Sequence, residues 1–322
     1  MIPYGKQKIG KDDVKEIINV SRSTMLTTGP KVLEFEKKLK NYTKAKFAVS
    51  CNSGTSALHL AFLSINLQPG DIIIMPAINF IATFNICKLL NAKIYLADVD
   101  PIKGVVTPKN ILDVIKKNKL KKIKAIVTMH LGGKVEQTEE FFNLKKKFKF
   151  FLIEDSCHAF GSKYIYRDKY FNVGCAKHAD LSTFSFHPIK SITTGEGGAV
   201  TTNNKSLHER MRLFKSHGII RSKSKHWEYD IASPGLNFRL SDINCALGIS
   251  QLKKINLFMR ERVKIAKFYE QEFRKFDFKV IFPKVSKIQN SWHLYVVNFT
   301  FKSLGEKDKF FKNLKKNKII AQ

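Results

Sequence analysis

Five short apolar runs, each set off from the next by a stretch of helical pattern, constrain this chain more than any other feature. They are Phe47–Cys51, Asp71–Met75, Lys93–Ala97, Ala125–Met129 and Phe150–Ile153. Between them lie segments that read as helices, such as Ala57–Ile65, Phe80–Leu90 and Thr138–Lys147. Short apolar strands alternating with helices imply a mostly parallel sheet covered on both faces. Two amphipathic helices, Lys11–Ser21 and Val32–Tyr42, precede this pattern. From Ser241 strands become rare. Ser241–Phe276 reads as long helical material bent once, with Val280–Phe282 and His293–Phe301 as candidate strands. The expectation is an α/β chain with a large sheet domain over residues 1–240, N-terminal arm included, and a smaller α+β domain over 241–322. The last residues, Ile319-Ile320-Ala321-Gln322, read as the opening of a strand, so the small domain is expected to be incomplete.

At 322 residues and 43% hydrophobic content the chain can bury a sizeable core. Its formal net charge of +30 raises the question of a nucleic-acid or anionic-membrane partner. The lysines, however, are spread along helical stretches such as KKLKNYTKAK, and the chain is also rich in Asn, Ile and Phe, a bias that codon composition can produce. No helix-turn-helix, zinc or RNP pattern is present, so nucleic acid is not the expected partner. An anionic small substrate suits the charge better. The five cysteines (Cys51, Cys87, Cys157, Cys175, Cys245) are scattered and form no C-x-x-C, which points to a reducing cytoplasm. No signal peptide opens the chain, and no apolar run approaches the roughly 18 residues that span a bilayer.

Chemistry concentrates at the ends of the apolar runs, where ligands bind in open parallel sheets. In ADLSTFSFHPIKSITTGEGGAVTT, residues 179–202, Lys190 stands on a turn between two strand-like runs. A lysine so placed can form a Schiff base with an aldehyde, the chemistry pyridoxal 5′-phosphate (PLP) requires. After the first run, Asn52–Ser56 offers backbone N–H groups and hydroxyls for a phosphate, although the same residues also make a plain N-cap. After the run Phe150–Ile153, Asp155 is placed to keep a pyridine nitrogen protonated, and His158 to stack on the ring; an N-cap is the plainer reading of that acid. Phe80, after Pro76, can cover the opposite ring face, though a phenylalanine opening an apolar helix is more often core. Ser185 can add a hydrogen bond to phosphate or substrate. Each reading is modest alone. Their order along one α/β chain makes the set specific.

With these motifs the chain resembles the DegT/DnrJ/EryC1/StrS sugar aminotransferases, PLP enzymes of the aspartate-aminotransferase-like fold. The resemblance covers nearly the whole chain. It rests on Thr28-Gly29-Pro30 with Phe35-Glu36, Asn52 to Leu58, Pro76 to Asn85, Glu154-Asp155 with His158, Ser185-Phe186-His187 to Lys190, Gly195 to Gly198, Ser216-His217-Gly218, and Asn237 to Ser241. Within the family, Ser185-Phe186-His187, Ile192-Thr193-Thr194 and His158 resemble members that aminate C4 of a UDP-linked 4-keto-6-deoxy sugar in pseudaminic acid biosynthesis. The resemblance implies that Lys190 holds PLP covalently and moves the proton, and that Asp155 pairs with the pyridine nitrogen. It implies that Phe80 and His158 flank the ring and that Gly54, Thr55 and Ser185 hold phosphate. It further implies that Asn237 reaches the cofactor of a second subunit, which makes the active unit a homodimer. Tyr4 and the turn Thr24, Met25, Leu26 and Thr27 align with segments that touch the nucleotide sugar, as do Gly54, Ser185 and Asn237. Glutamate is the implied amino donor.

Three other readings have specific residues behind them. A PLP sugar 3-dehydrase shares the fold, but the version that replaces the lysine with histidine is at odds with Lys190. A non-catalytic sensor of PLP or sugar nucleotide would keep the pocket without turnover. A metal hydrolase would use His130, Cys157, His158 and Cys175, whose spacing matches no ligand motif.

Overall fold

The computed structural model describes residues 1–222, 224–225, 227–275, 280–281 and 283–322. Two helices lead in, α1 (Lys11–Ser21) and α2 (Pro30–Thr43). Pro30 at the first position of α2 presets the helical φ, and Val32, Phe35, Leu39 and Thr43 recur at helical spacing on its buried face. Strand–helix alternation follows: β1 (Phe47–Cys51), α3 (Gly54–Ser64), β2 (Ile72–Pro76), α4 (Ala82–Leu89), β3 (Lys93–Ala97), α5 (Pro108–Lys117), β4 (Ala125–Met129), α6 (Thr138–Phe148) and β5 (Phe151–Asp155). An antiparallel pair, β6 (Lys163–Tyr166) and β7 (Lys169–Asn172), comes before β8 (Leu181–Ser185) and β9 (Gly198–Thr202).

Seven strands form one sheet in the order β1-β9-β8-β5-β4-β2-β3. β9 runs antiparallel to both β1 and β8, and the remaining pairs are parallel. Six strands therefore share one direction, and their carboxyl ends lie along one edge. Pleating decides which side chains meet there. Cys51, Val49, Ile153 and Leu181 point to the face covered by α3, α4 and α7 (Lys205–Phe214). Asp155 is two residues beyond Ile153 on β5, and Ser185 is four beyond Leu181 on β8, so both also emerge on the α3 face. Leu152 and Glu154 point the other way, toward α5 and α6. Ala48, Phe184 and Ala199 pack beneath α2 and α8 (Asp242–Lys253).

The helical stretch from Ser241 does bend once, at Lys254, between α8 and α9 (Ile255–Phe273); the expected end at Phe276 lies outside the described residues. Lys254 is pinned to α1, its Nζ 2.6 Å from Asp13 Oδ2 and 2.8 Å from Asp12 Oδ2. α8 is part of the large core: Gly248 sits where a Cβ would meet the Phe35 ring at 2.8 Å, so only glycine lets α8 approach α2 this closely. Ile255 and Met259 join the same cluster. We therefore propose that the small domain begins within α9 rather than at Ser241. Beyond α9, β12 (Val280–Ile281) pairs antiparallel with β13 (Asn298–Phe299), numbering after the hairpin β10 (Ile219–Arg221) and β11 (Tyr229–Ile231). Phe282, expected in the first of these strands, lies outside the described residues.

The expected strand His293–Phe301 shrinks to Asn298–Phe299 for a physical reason. Residues before it spend their hydrogen bonds on loops of the large domain: Ser291 N donates to Ser162 Oγ (2.8 Å) and His293 N to the Gly132 carbonyl (3.0 Å). α10 (Leu304–Lys316) follows, and Ile319 forms a parallel bridge with Ile2. Among the described residues no helix is long and apolar enough to cross a membrane.

Candidate active site around Lys190

Lys190 lies on a loop tied shut at its base. Phe186 N donates to the Gly197 carbonyl (2.8 Å), and Thr194 N to the Phe186 carbonyl (3.0 Å). Within that frame Lys190 N closes a turn onto the His187 carbonyl (2.9 Å). Burial lowers the pKa of the Lys190 amine below the ordinary lysine value, with Cys157 and Asp155 pulling the other way. Asp155 is thus near enough for its charge to act on the Lys190 amine.

Asp155 ends β5 and is 1% exposed. Its carboxylate is reached from Cys157, by the backbone N–H on Oδ1 at 3.2 Å and by the thiol. A nearly buried carboxylate with so few protein donors suits a cationic N–H from a ligand. His158, three residues on, accepts from Gly132 N through Nδ1 at 3.4 Å. Burial, and then the Lys190 charge, hold its pKa down at about 3, so its ring is neutral at physiological pH.

The phosphate turn is more helical than its sequence suggests. α3 starts at Gly54, not Ala57, because Ser53 caps it by accepting from Ser56 N through its side chain at 3.0 Å. The N–H groups of Gly54 and Thr55 are left without an acceptor among the described residues and point out of the helix start, the usual arrangement for binding an anion. A Cβ at Gly54 would meet Ser185 Cβ at 2.8 Å, Ser185 Oγ at 3.2 Å and Cys157 Sγ at 3.4 Å. Gly54, Ser185 and the residues after Asp155 therefore converge on one small cradle, and the donors in it are those a phosphate needs.

The other expected residues are exposed. Phe80 is not core: it is 67% exposed, in the turn after β2, at the same sheet edge. Asn237 is exposed, and its segment is fixed against the phosphate turn by Asn52 N to the Phe238 carbonyl (3.0 Å) and Asn52 Nδ2 to the Asn237 carbonyl (3.3 Å). Thr24, Met25, Leu26 and Thr27 are exposed, with Thr27 bridged to Ser241. Tyr4 is also exposed, and its neighbour Gly5 lies against the Ile189 side chain, beside Lys190.

Sequence reasoning missed two residues. His293 places Nε2 at 3.4 Å from Lys190 Nζ, and its ring lies 4.2 Å from that of His158. Arg262 donates from Nη2 to the Lys190 carbonyl at 3.1 Å. A single histidine inside the apolar stretch Ser291–Val297 was the available signal for the first. The metal reading, by contrast, does not hold. His130 faces Glu154 Oε1 at 3.7 Å, Cys175 Sγ lies 3.2 Å from the Tyr164 hydroxyl, and no cluster of three ligands forms among the described residues.

The sequence profile of the DegT/DnrJ/EryC1/StrS aminotransferase family matches residues 7–322. The chain belongs to that family. It is 38% identical over 314 residues to the UDP-4-amino-4,6-dideoxy-N-acetyl-beta-L-altrosamine transaminase of Campylobacter jejuni, covering 98% of this chain and 81% of that one. The structure of Helicobacter pylori PseC, an aminotransferase of pseudaminic acid biosynthesis, superposes with a TM-score of 0.89 at 34% identity, over 100% of this chain and 84% of that one. The putative sugar aminotransferase Spr1654 of Streptococcus pneumoniae, solved in its PMP form, gives 0.91 at 27% identity, over 100% and 85%. The DegT/DnrJ/EryC1/StrS chain described here is thus an aminotransferase with the α/β fold of that family.

Proposed function

We propose that this enzyme is a PLP-dependent transaminase that moves an amino group from glutamate to C4 of a UDP-linked 4-keto-6-deoxy-N-acetylamino sugar, the step named for the Campylobacter relative. One observation carries the reading: Lys190 stands on its closed loop within electrostatic reach of Asp155, in a chain 38% identical over 314 residues to that transaminase. The residues fit the cofactor. Gly54 and Thr55 N–H and Ser185 Oγ would hold phosphate, Asp155 the ring nitrogen, and His158 and Phe80 the two ring faces. Bound PLP supplies an aldehyde and a cationic ring that takes up an electron pair.

The chain's own groups do the rest. Lys190 Nζ would be the covalent attachment point for that aldehyde, and as a free amine it would carry the proton at the substrate carbon that gains or loses nitrogen. Burial keeps a larger fraction of that amine unprotonated, as a base requires. Neutral His158 covers the site without placing a second cation beside the ring. Asn237, Phe80, Met25 and Leu26 are exposed in the single chain, which supports a homodimer in which Asn237 serves the site of a second copy. Five free cysteines, four of them buried, support a cytoplasmic location.

The test is to incubate the protein with PLP, glutamate and a panel of UDP- and dTDP-keto sugars and weigh the products. A UDP-sugar that gains one amino group at C4, with 2-oxoglutarate released, is the expected result. Lys190→Ala should lose both the visible band of bound PLP and turnover. Turnover at the wild-type rate in that variant overturns the proposal, and amination of dTDP-sugars alone overturns the substrate.

A further inference from the structure

Arg262 stands outside the cradle, on α9, and is only partly exposed. Its guanidinium forms no ion pair among the described residues. Instead Nη2 donates to the Lys190 carbonyl (3.1 Å) and Nη1 to the Trp292 carbonyl (3.2 Å). Those carbonyls belong to two segments far apart in sequence. One residue carries the reactive amine; the other immediately precedes His293, whose Nε2 faces that amine at 3.4 Å.

The histidine has little else to orient it. Among the described residues its Nδ1 is buried without a partner, so no second hydrogen bond fixes the ring, although its backbone N–H is held by the Gly132 carbonyl at 3.0 Å. The ring's other contact is His158, itself part of the site. Orientation must come from the backbone, and Trp292 has φ of +47°, a shape a non-glycine residue keeps only when its surroundings hold it. A planar fork that cannot lose its proton suits the task of spanning two carbonyls; an ammonium does not reproduce that geometry.

We propose that Arg262 is a positioning residue: by gripping the Lys190 and Trp292 carbonyls in one fork, it sets the Lys190 amine against His293 and ties the segment returning from the small domain to the lysine loop. This rests on Lys190 being the covalent carrier. With its guanidinium held by the Lys190 and Trp292 carbonyls, Arg262 acts through the placement of the amine.

The experiment uses Arg262→Lys and Arg262→Ala in the full chain. Both should lower kcat by about tenfold or more while KM for glutamate stays within about threefold, the pattern of a group that matters after binding. Guanidinium at millimolar concentration should restore most of the rate to Arg262→Ala, and methylammonium should not. In the cofactor-free protein, amide hydrogen exchange should speed up together in residues 187–192 and 290–294 of Arg262→Lys. Wild-type kcat in Arg262→Lys, or exchange that rises in one segment alone, overturns the assignment. So does a folded Arg262→Ala protein that guanidinium leaves inactive. Should Arg262→Ala not fold, Arg262→Lys decides alone. Should the wild type bind no PLP, the function proposed above fails, while the exchange measurement, made without cofactor, still tests the fork.

Discussion

Gly54→Ala tests the cradle directly. The added methyl would lie 2.8 Å from Ser185 Cβ and 3.2 Å from its Oγ, and the first distance is too short for carbon. Either β8 gives at Ser185 or the helix start moves. Overpacking of this kind costs about 1–3 kcal/mol, and the better helix propensity of alanine returns at most about 1 kcal/mol. The cofactor-free protein should therefore lose roughly 0–3 kcal/mol and still fold. Cofactor binding should suffer more. Displacing Ser185 Oγ or the N–H groups of the first turn removes at least one charge-assisted hydrogen bond to phosphate, worth about 1.5–3 kcal/mol. At 1.4 kcal/mol per decade this is a loss of about ten- to a hundredfold in PLP affinity. Titrating the visible band with PLP measures it, and thermal melting with and without PLP separates the two effects. A Gly54→Ala protein that melts like wild type without PLP and binds PLP as tightly as wild type would refute the placement of phosphate at the α3 start.

Asp155→Asn should retain PLP yet slow the single-turnover half-reaction with glutamate by at least about a hundredfold, because an amide cannot stabilise the ring cation; stopped-flow absorbance reads it. Glu154→Gln acts on stability and leaves the chemistry alone. Burial works to raise the Glu154 pKa, but His130 at 3.7 Å and Ser182 Oγ at 2.6 Å outweigh it, and the net shift is downward. A lowered folded pKa means the stabilisation is present above the unfolded value of about 4.3 and is lost as pH falls through the folded one. Urea midpoints of wild type should drop as pH goes below that value, and Glu154→Gln should flatten the drop; parallel curves would contradict this.

The strands were legible because apolar runs flanked by turns leave little choice: β1, β3 and β4 lie where the pattern puts them. Ends that carry chemistry were harder to place. β5 runs on through Glu154 and Asp155, since carboxylates do not read as strand even when Met129 pairs with Asp155 in register. Asn52–Ser56 reads as a turn because Ser, Gly and Thr are poor helix formers, yet Gly54 and Thr55 already belong to α3. Asp155 stood out because it ends a strand, and Lys190 because it stands on the loop between two strands. His293 and Arg262 did not. Both reach the site from beyond α8, and their placement depends on bonds to the Gly132, Lys190 and Trp292 carbonyls, which no local pattern records.

Strand β5 sets two acids side by side and sends them to opposite sides of the sheet, one to the cradle and one toward His130 and Ser182. Sliding the strand by a single position would exchange their destinations, leaving a longer acid at the cradle and a stranded aspartate beneath α5 and α6. The pair thus serves as a key that fits only one alignment. Individual residues of 151–155 can be replaced at graded cost, whereas adding or removing one there would disable catalysis and unseat the core at a stroke.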